Sequence, residues 1–202
     1  MKITGGKKNK SNTPLKSSIL LCFSHLRWDF VHQRPQHILT HASKQQQIIY
    51  FEEPVYEEIR YPSMRVNDRS AMITIVTPVL PAGISATKAD AIQRRFVDQI
   101  VYSTPHDRLT IWYYTPMALR FSDHIACDVC VYDCMDELSA FKNAPAELTQ
   151  MERALFQRAD VVFTGGQSLY EAKRCLPNRS FPSPAASTLR IFTRQESPAM
   201  TL

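Results

Sequence analysis

The chain has 202 residues, 44% of them hydrophobic and 21% charged, which is ordinary for one globular domain with its own core. Its formal net charge of +5 comes from five lysines within residues 1–17, and the rest of the chain has 19 basic and 19 acidic residues. Nucleic-acid binding is therefore the least favoured function class, and no apolar run approaches the roughly 20 residues of a membrane span.

The predicted elements alternate between strand and helix. Residues 1–17 are predicted to be a disordered basic tail, for which weak attraction to an anionic membrane or to RNA is the alternative. Strands are then predicted at residues 19–23, 48–51, 71–79, 109–113, 129–133 and 160–163, with a short one near 64–66 inside an irregular segment, 55–70. Helices are predicted at residues 35–44, 85–102, just after Pro116, 145–159 and from Thr164 to about Lys173.

This alternation predicts an α/β fold: an open parallel, Rossmann-like sheet with helices on both faces and right-handed crossovers. We expect the domain to span residues 18–176. Residues 177–202 are expected to form an irregular tail rich in proline and serine, or a truncated linker.

Several chemistries are disfavoured by residue type. Only five glycines occur, and Gly83, Gly165 and Gly166 cannot build a dinucleotide-binding or Walker A loop. Three cysteines, Cys127, Cys130 and Cys134, have no second pair to complete a zinc site, so buried free thiols are the favoured interpretation. Around the first loop, His25, His32, His37 and His41 lack a metal-binding motif, and we expect no bound metal or cofactor.

Every predicted strand ends in polar residues, and the carboxyl ends of parallel strands meet at one edge of a sheet, where ligands bind. We therefore expect a polar ligand at this edge, although the same residues could simply be solvated strand ends. The candidate residues are Arg27, Trp28, Asp29, Arg34, Gln36, Glu52, Glu53, Tyr114, Thr115, Asp133, Asp136, Glu137, Gly165, Gly166, Gln167 and Ser168.

Different members of this set suit different ligands. Arg27 and Arg34 could bind a phosphate or carboxylate, or they could form ion pairs with Asp29 or Glu52. Trp28 could stack on a sugar or base, or cap the core. Residues 165–168 could hold an anion at a helix start, or serve as an ordinary helix cap.

The three carboxylates at residues 133, 136 and 137 also allow two interpretations. They could supply a general base or hold a divalent ion. Equally, they could complement the dipole at the start of a helix.

Several motifs occur in an order that matches a known family: Ser-His-Leu-Arg-Trp-Asp at 24–29, Arg-Pro-Gln-His at 34–37, Phe-Glu-Glu-Pro at 51–54, Trp-Tyr-Tyr-Thr-Pro at 112–116, Tyr-Asp-Cys-Met-Asp-Glu at 132–137 and Gly-Gly-Gln-Ser-Leu-Tyr at 165–170. On these residues the chain resembles the N-terminal half of a bacterial group 1 glycosyltransferase of the GT-B architecture. The resemblance covers about residues 18–182.

The resemblance implies two Rossmann-like domains that face each other across a cleft. The N-terminal domain would hold a glycan or lipid-linked acceptor, and the C-terminal domain would hold most of a nucleotide-diphosphate sugar, the donor substrate, usually without a metal. Residues 27–36 would border the acceptor and the donor phosphates, while residues 133–137 and 165–168 would line the same cleft. The family's donor-contacting residues come from the other half, so no catalytic residue is assigned.

The resemblance ends near Pro182. Codons permitted for residues 184–191 include a set that, in another frame, encodes Ser-Ser-Val-Asp-Ala-Ala-His, close to the passage by which the family enters its second domain. We hypothesise that a frameshift near Pro182 ends this reading of a longer gene. A single wall of the cleft should show little transfer activity, and its exposed surface should favour self-association or a separate C-terminal partner.

We therefore predict the acceptor-side domain of a glycosyltransferase of polysaccharide biosynthesis, truncated and inactive alone. The alternatives are a non-enzymatic interaction module that partners a separate subunit, and a metal-dependent α/β enzyme of another class. Since the tail lacks the apolar stretch of a secretory signal and the cysteine count is odd, we expect a cytoplasmic protein, with a peripheral position at the inner face of the membrane as an option.

Overall fold

The computed structural model describes residues 17–138, 146–173 and 190–193. Nine strands in this part of the chain form one sheet with the hydrogen-bonded order β3-β5-β2-β1-β6-β7-β8-β9, and β4 pairs with β5. The strands are β1 (Ser18–Ser24), β2 (Gln47–Glu52), β3 (Val55–Glu57), β4 (Ser63–Ser70), β5 (Ile73–Pro81), β6 (Arg108–Tyr113), β7 (Val129–Cys134), β8 (Val161–Thr164) and β9 (Arg190–Thr193).

All pairings are parallel except that of β4 with β5, so the predicted open, mostly parallel sheet is confirmed. The helices are α1 (Arg34–Ala42), α2 (Ala86–Ser103), α3 (Leu119–Ser122), α4 (Leu148–Arg158) and α5 (Gln167–Lys173), and a 3₁₀ turn, Pro116–Ala118, precedes α3. Ser85 caps α2 as predicted, because its side chain accepts a hydrogen bond from the Lys88 amide.

Helices pack on both faces of the sheet, as the sequence predicts. Along β1 the side chains alternate: Leu21 and Phe23 enter one core and Leu20 and Cys22 the other. The first core also takes side chains from α2, α3 and α4, whereas the second takes Leu39 from α1. The loops that follow the strands are therefore held between two packed layers.

The region between β2 and α2 differs most from prediction. Residues 55–70 contain two strands, β3 and β4, where mainly irregular structure is expected. The β5 strand runs through Pro78 and ends at Pro81, two residues beyond its predicted end at residue 79. Pairing of β5 with β2 ends at Val76 and pairing with β3 begins at Val79, so Pro78 lies where the parallel ladder is interrupted and its missing amide hydrogen costs little.

The predicted tails lie largely outside the described residues. Residues 1–16 and most of residues 177–202 are among those the structure does not describe, as is the predicted start of a helix at Pro145. Within the expected irregular tail, however, residues 190–193 form β9, which pairs in parallel with β8. Pairing with a neighbouring strand overrides the absence of a clear local pattern there.

Candidate functional site

The strand order places a switch point between β1 and β6. From β1 the chain runs to β2 and β5 on one side and then returns to β6 on the other side. The loops after β1 and β6 consequently diverge, and such a divergence leaves a crevice at the carboxyl ends of the strands. The predicted site residues lie around this edge in three groups.

The first group surrounds Glu52, at the end of β2, and we call it the Glu52 anchor: Arg27, Trp28, Glu52 and Thr77. The buried Glu52 carboxylate accepts hydrogen bonds from Arg27 Nη1 at 3.0 Å, from the Trp28 amide at 2.8 Å and from Thr77 Oγ1 at 2.7 Å. Arg27 also donates to the backbone oxygens of Glu53 and Pro54. The charges of Arg27 and Glu52 therefore neutralise each other and hold the first loop in place.

Gln36, Trp28 and Asp29 complete the fixing of this loop. The buried Gln36 amide donates to the backbone oxygens of Trp28 and Val31 at 2.8 and 2.9 Å. The Trp28 ring packs edge-on against Tyr50, with centroids 5.0 Å apart. Asp29 forms an exposed ion pair with Arg69. These three predicted site residues all serve the conformation of the loop.

The second group joins α1 to β7. Arg34 Nη2 lies 2.8 Å from Asp133 Oδ1, and Asp133 is fully buried. Burial raises the pKa of the Asp133 carboxyl to about 6, although Arg34 and the nearby Tyr114 hydroxyl act in the opposite direction. Burial likewise raises the pKa of Tyr114. The predicted residues Arg34, Tyr114 and Asp133 are thus brought together, in a mostly dry environment.

His25, which was not selected as a site residue, lies between this group and the next. Burial lowers the pKa of His25, while the nearby Asp136 carboxylate and the Tyr114 backbone raise it. Its Nδ1 atom is buried and makes no hydrogen bond within the described residues. The signal in the sequence was its position directly after Ser24, at the end of the central strand.

The third group lines an open cleft of about 460 Å³ at the ends of β7 and β8, which we call the acid cleft. Asp136 is exposed there, whereas Glu137 Oε1 accepts a hydrogen bond from Lys173 Nζ at 2.8 Å. Gln167 is exposed and bonds to Glu171 rather than lining the cleft. The lining residues are Met135, Asp136, Glu137, Gly165, Gly166, Ser168, Leu169 and Ala172.

Gly165 is required here for close packing. A Cβ atom at Gly165 would lie 2.1 Å from the backbone oxygen of Met135, whereas one at Gly166 would meet nothing within 4 Å. The Gly165 amide also donates to the Cys134 backbone oxygen at 2.9 Å. Gly165 therefore holds the loop after β8 against the loop after β7 and sets the shape of the acid cleft.

A buried ionic cluster beneath the acid cleft was not foreseen. The Lys173 ammonium donates to Glu152 Oε2 at 2.7 Å, and the Tyr132 hydroxyl donates to Glu152 Oε1 at 2.9 Å. Burial alone would lower the pKa of Lys173, but the hydrogen bonds to Glu137 and Glu152 raise it. This contact joins helices distant in sequence, so local patterns give no sign of it.

A smaller cavity, of about 40 Å³, opens beside the switch point on the α2 face of the sheet. Thr115, a predicted site residue, lines it and also caps the 3₁₀ turn, since Thr115 Oγ1 accepts from the Met117 amide.

In the described part of the chain, no group of three or more His, Cys, Asp or Glu side chains could hold a metal ion. The four described cysteines are free thiols.

The described helices also bear on the question of a membrane span. No helix within the described ranges has both the length and the apolar character needed to span a bilayer.

Of three comparisons with known proteins, the one with solved structures finds matches. No protein-family profile matches the chain, and no curated protein matches it by sequence. One similar structure, from E. coli and described as trehalose-6-phosphate bound with UDP-2-fluoro glucose, has 10% identity and a TM-score of 0.54, covering 87% of this chain and 48% of the other. An α,α-trehalose-phosphate synthase (UDP-forming) from Burkholderia xenovorans in complex with glucose-6-phosphate has 10% identity and a TM-score of 0.52, covering 87% and 49%.

These likenesses show a fold like that of the GT-B glycosyltransferases. The chain spans about half the length of the structures that it matches.

Proposed function

We propose that this chain is the acceptor-side domain of a GT-B glycosyltransferase, which transfers a sugar from a nucleotide-diphosphate donor to a glycan or lipid-linked acceptor. The observation that carries the proposal is the edge of the sheet around the β1–β6 switch point, where polar residues follow β1, β2 and β6 at the small cavity and follow β7 and β8 at the acid cleft. The half-length match to structures that contain a UDP-sugar or a sugar phosphate supports it.

The chemistry of this edge suits binding and orientation of an acceptor more than stabilisation of a donor. Among the described residues Arg27 is neutralised by Glu52 and Arg34 by Asp133, so neither is free to compensate a diphosphate. Stabilising a leaving diphosphate requires positive groups in a site that excludes water. We propose that a second domain supplies them, on this chain's gene or on a separate chain, and that the assembly acts in the cytoplasm.

Reconstitution tests this proposal. The DNA beyond codon 170 is sequenced for a reading frame that encodes a second Rossmann-like half, and that half is produced with this chain. Release of nucleoside diphosphate from UDP-, GDP- and dTDP-sugars is then measured with a glycan extract as acceptor. We expect release only when both halves are present.

Two outcomes would contradict the proposal. Transfer by the 202-residue chain alone would show that it carries a complete active site. Absence of transfer from the reconstituted pair, with both halves folded, would leave this chain as a binding module without enzymatic activity.

A further inference from the structure

The small cavity beside the switch point has an apolar floor and a polar rim. Its floor is formed by Phe23, Phe51 and Phe121. Its rim carries five polar residues, all but one of them buried: Ser24, Glu52, Glu53, Gln93 and Thr115. Buried polar groups beside an apolar surface are costly unless they meet a partner, so this cavity is suited to a small polar ligand group.

Two rim residues keep hydrogen-bonding capacity. Gln93 Nε2 makes one long hydrogen bond, 3.4 Å to the Ala89 backbone oxygen in its own helix. The Thr115 hydroxyl accepts from the Met117 amide at 3.3 Å, and within the described chain it donates to no acceptor. An amide and a hydroxyl can together donate to and accept from an alcohol, which itself does both.

The cavity's size limits what it can take. A buried water needs about 10–15 Å³, so about 40 Å³ holds about three or four waters, or one hydroxymethyl group. The aromatic floor would contact the carbon atom of a hydroxymethyl group.

The charge of the rim also disfavours an anion. Glu52 and Glu53 are its two ionisable side chains, and no basic side chain lines the cavity among the described residues. Arg27, which contacts the rim residue Glu52, is engaged by that carboxylate and by two backbone oxygens. Because Arg27 neutralises Glu52, repulsion of a phosphate would come from Glu53, and an uncharged alcohol would not meet it.

We propose that this cavity binds a hydroxymethyl or hydroxyl group of an uncharged sugar, so that the acceptor is a neutral glycan end rather than a sugar phosphate. Its role as the acceptor subsite rests on the proposed function. The binding itself depends on Gln93 and Thr115, whereas the carboxylate of Glu53 acts only against an anion. Gln93 would orient the sugar hydroxyl, and Glu53 would exclude phosphorylated analogues.

Saturation-transfer NMR on the 202-residue chain tests this. The probes are glucose, mannose and galactose, each compared with its 6-phosphate. We expect at least one neutral sugar to bind, and we expect its 6-phosphate to bind at least fivefold more weakly. Gln93→Met keeps the side-chain volume but removes the amide, and it should weaken binding of the neutral sugar at least fivefold. Gln99→Met, on the same helix but outside this cavity, is the matched control.

A second variant tests the charge argument. Glu53→Gln should reduce the difference in affinity between each sugar and its 6-phosphate. It should weaken binding of the neutral sugar by no more than twofold. Tighter binding of a 6-phosphate to the unmodified chain, no binding of any neutral sugar, or equal effects of Gln93→Met and Gln99→Met would each overturn the inference.

The same variants separate this inference from the proposed function. If the reconstituted pair transfers sugar while Gln93→Met leaves the KM for the acceptor unchanged, the glycosyltransferase proposal is supported and the proposed subsite is wrong. If Gln93→Met abolishes sugar binding by the chain but no second half confers transfer, the subsite stands and the glycosyltransferase proposal is wrong.

Discussion

The Glu52 anchor and the acid cleft lie at the same edge of the sheet and use similar residues in opposite ways. In the anchor, a buried carboxylate accepts three hydrogen bonds, and every charge is paired inside the protein. In the acid cleft, Asp136 is exposed beside an open volume of about 460 Å³. Polar residues at strand ends therefore divide into those that build the loops and those that the loops present to a ligand.

This difference predicts opposite responses to substitution. Removing a residue of the anchor should cost stability, because its buried partners lose their hydrogen bonds. Removing an exposed carboxylate that faces the acid cleft without a hydrogen bond, such as that of Asp136, should leave stability nearly unchanged. The variants that follow, from the largest expected effect to the smallest, would break or sharpen this comparison.

Glu52→Ala should have the largest effect. It leaves the Trp28 amide and the Thr77 hydroxyl without their acceptor, while the partly exposed Arg27 keeps water and two backbone oxygens, so we expect a loss of about 2–4 kcal/mol. Urea unfolding followed by circular dichroism measures the change. Glu53→Ala, its exposed neighbour, is the control and should change the free energy of unfolding by no more than about 0.5 kcal/mol. Equal losses of stability in Glu52→Ala and Glu53→Ala would mean that the buried hydrogen bonds of Glu52 do not stabilise the fold.

Asp133 tests how a buried carboxylate between these regions behaves with pH. Its pKa is raised in the folded protein to about 6 from an ordinary value of 3.8, so the folded state binds the proton more tightly than the unfolded state. Stability from this group is therefore complete below about pH 4 and is lost as the pH rises to about 6. Two pKa units correspond to about 3 kcal/mol.

The control for this pH dependence is Asp133→Asn, which cannot titrate. Urea unfolding at pH 4, 5, 6 and 7 should show the free energy of unfolding of the unmodified chain falling relative to that of the variant. A difference that is constant across this range would mean that Arg34 keeps Asp133 ionised throughout.

Gly165→Ala should have an intermediate effect. The new methyl group would overlap the Met135 backbone oxygen, and relief requires the two loops of the acid cleft to separate. Overpacking of this kind costs about 1–3 kcal/mol. Gly166→Ala, with open space around its Cβ, should stay within about 1 kcal/mol. If both variants behaved alike, Gly165 would not set the shape of the acid cleft.

The fold could be predicted from the sequence because its signals are local. Apolar runs such as residues 19–23 and helix caps such as Ser85 specify the strands and helices, and their alternation gives the parallel sheet. The strands β3, β4 and β9 could not be predicted so well, because pairing with a neighbour stabilises them and their own patterns are weak.

The candidate site was less accessible from the sequence, for a physical reason. Sequence places Arg27 and Asp136 alike at strand ends, but whether a side chain turns inward depends on partners remote in the chain, such as Thr77 for Glu52. The ion pair of Arg34 with Asp133, and that of Lys173 with Glu152, likewise join residues far apart in sequence. Gln93 was overlooked because burial, rather than motif, distinguishes it, whereas His25 was considered only as a metal ligand.

Asp136→Asn should have the smallest effect on stability and the sharpest local one. Asp136 is exposed, and no hydrogen bond ties its carboxylate to the described residues, so the free energy of unfolding should change by no more than about 0.5 kcal/mol. The same carboxylate raises the pKa of His25, whereas burial lowers it. Its loss should therefore lower the His25 pKa further, as measured by NMR titration of the imidazole. A large loss of stability would mean that Asp136 supports the fold as the anchor residues do. An unchanged His25 pKa would mean that the Asp136 carboxylate does not act electrostatically on the end of β1.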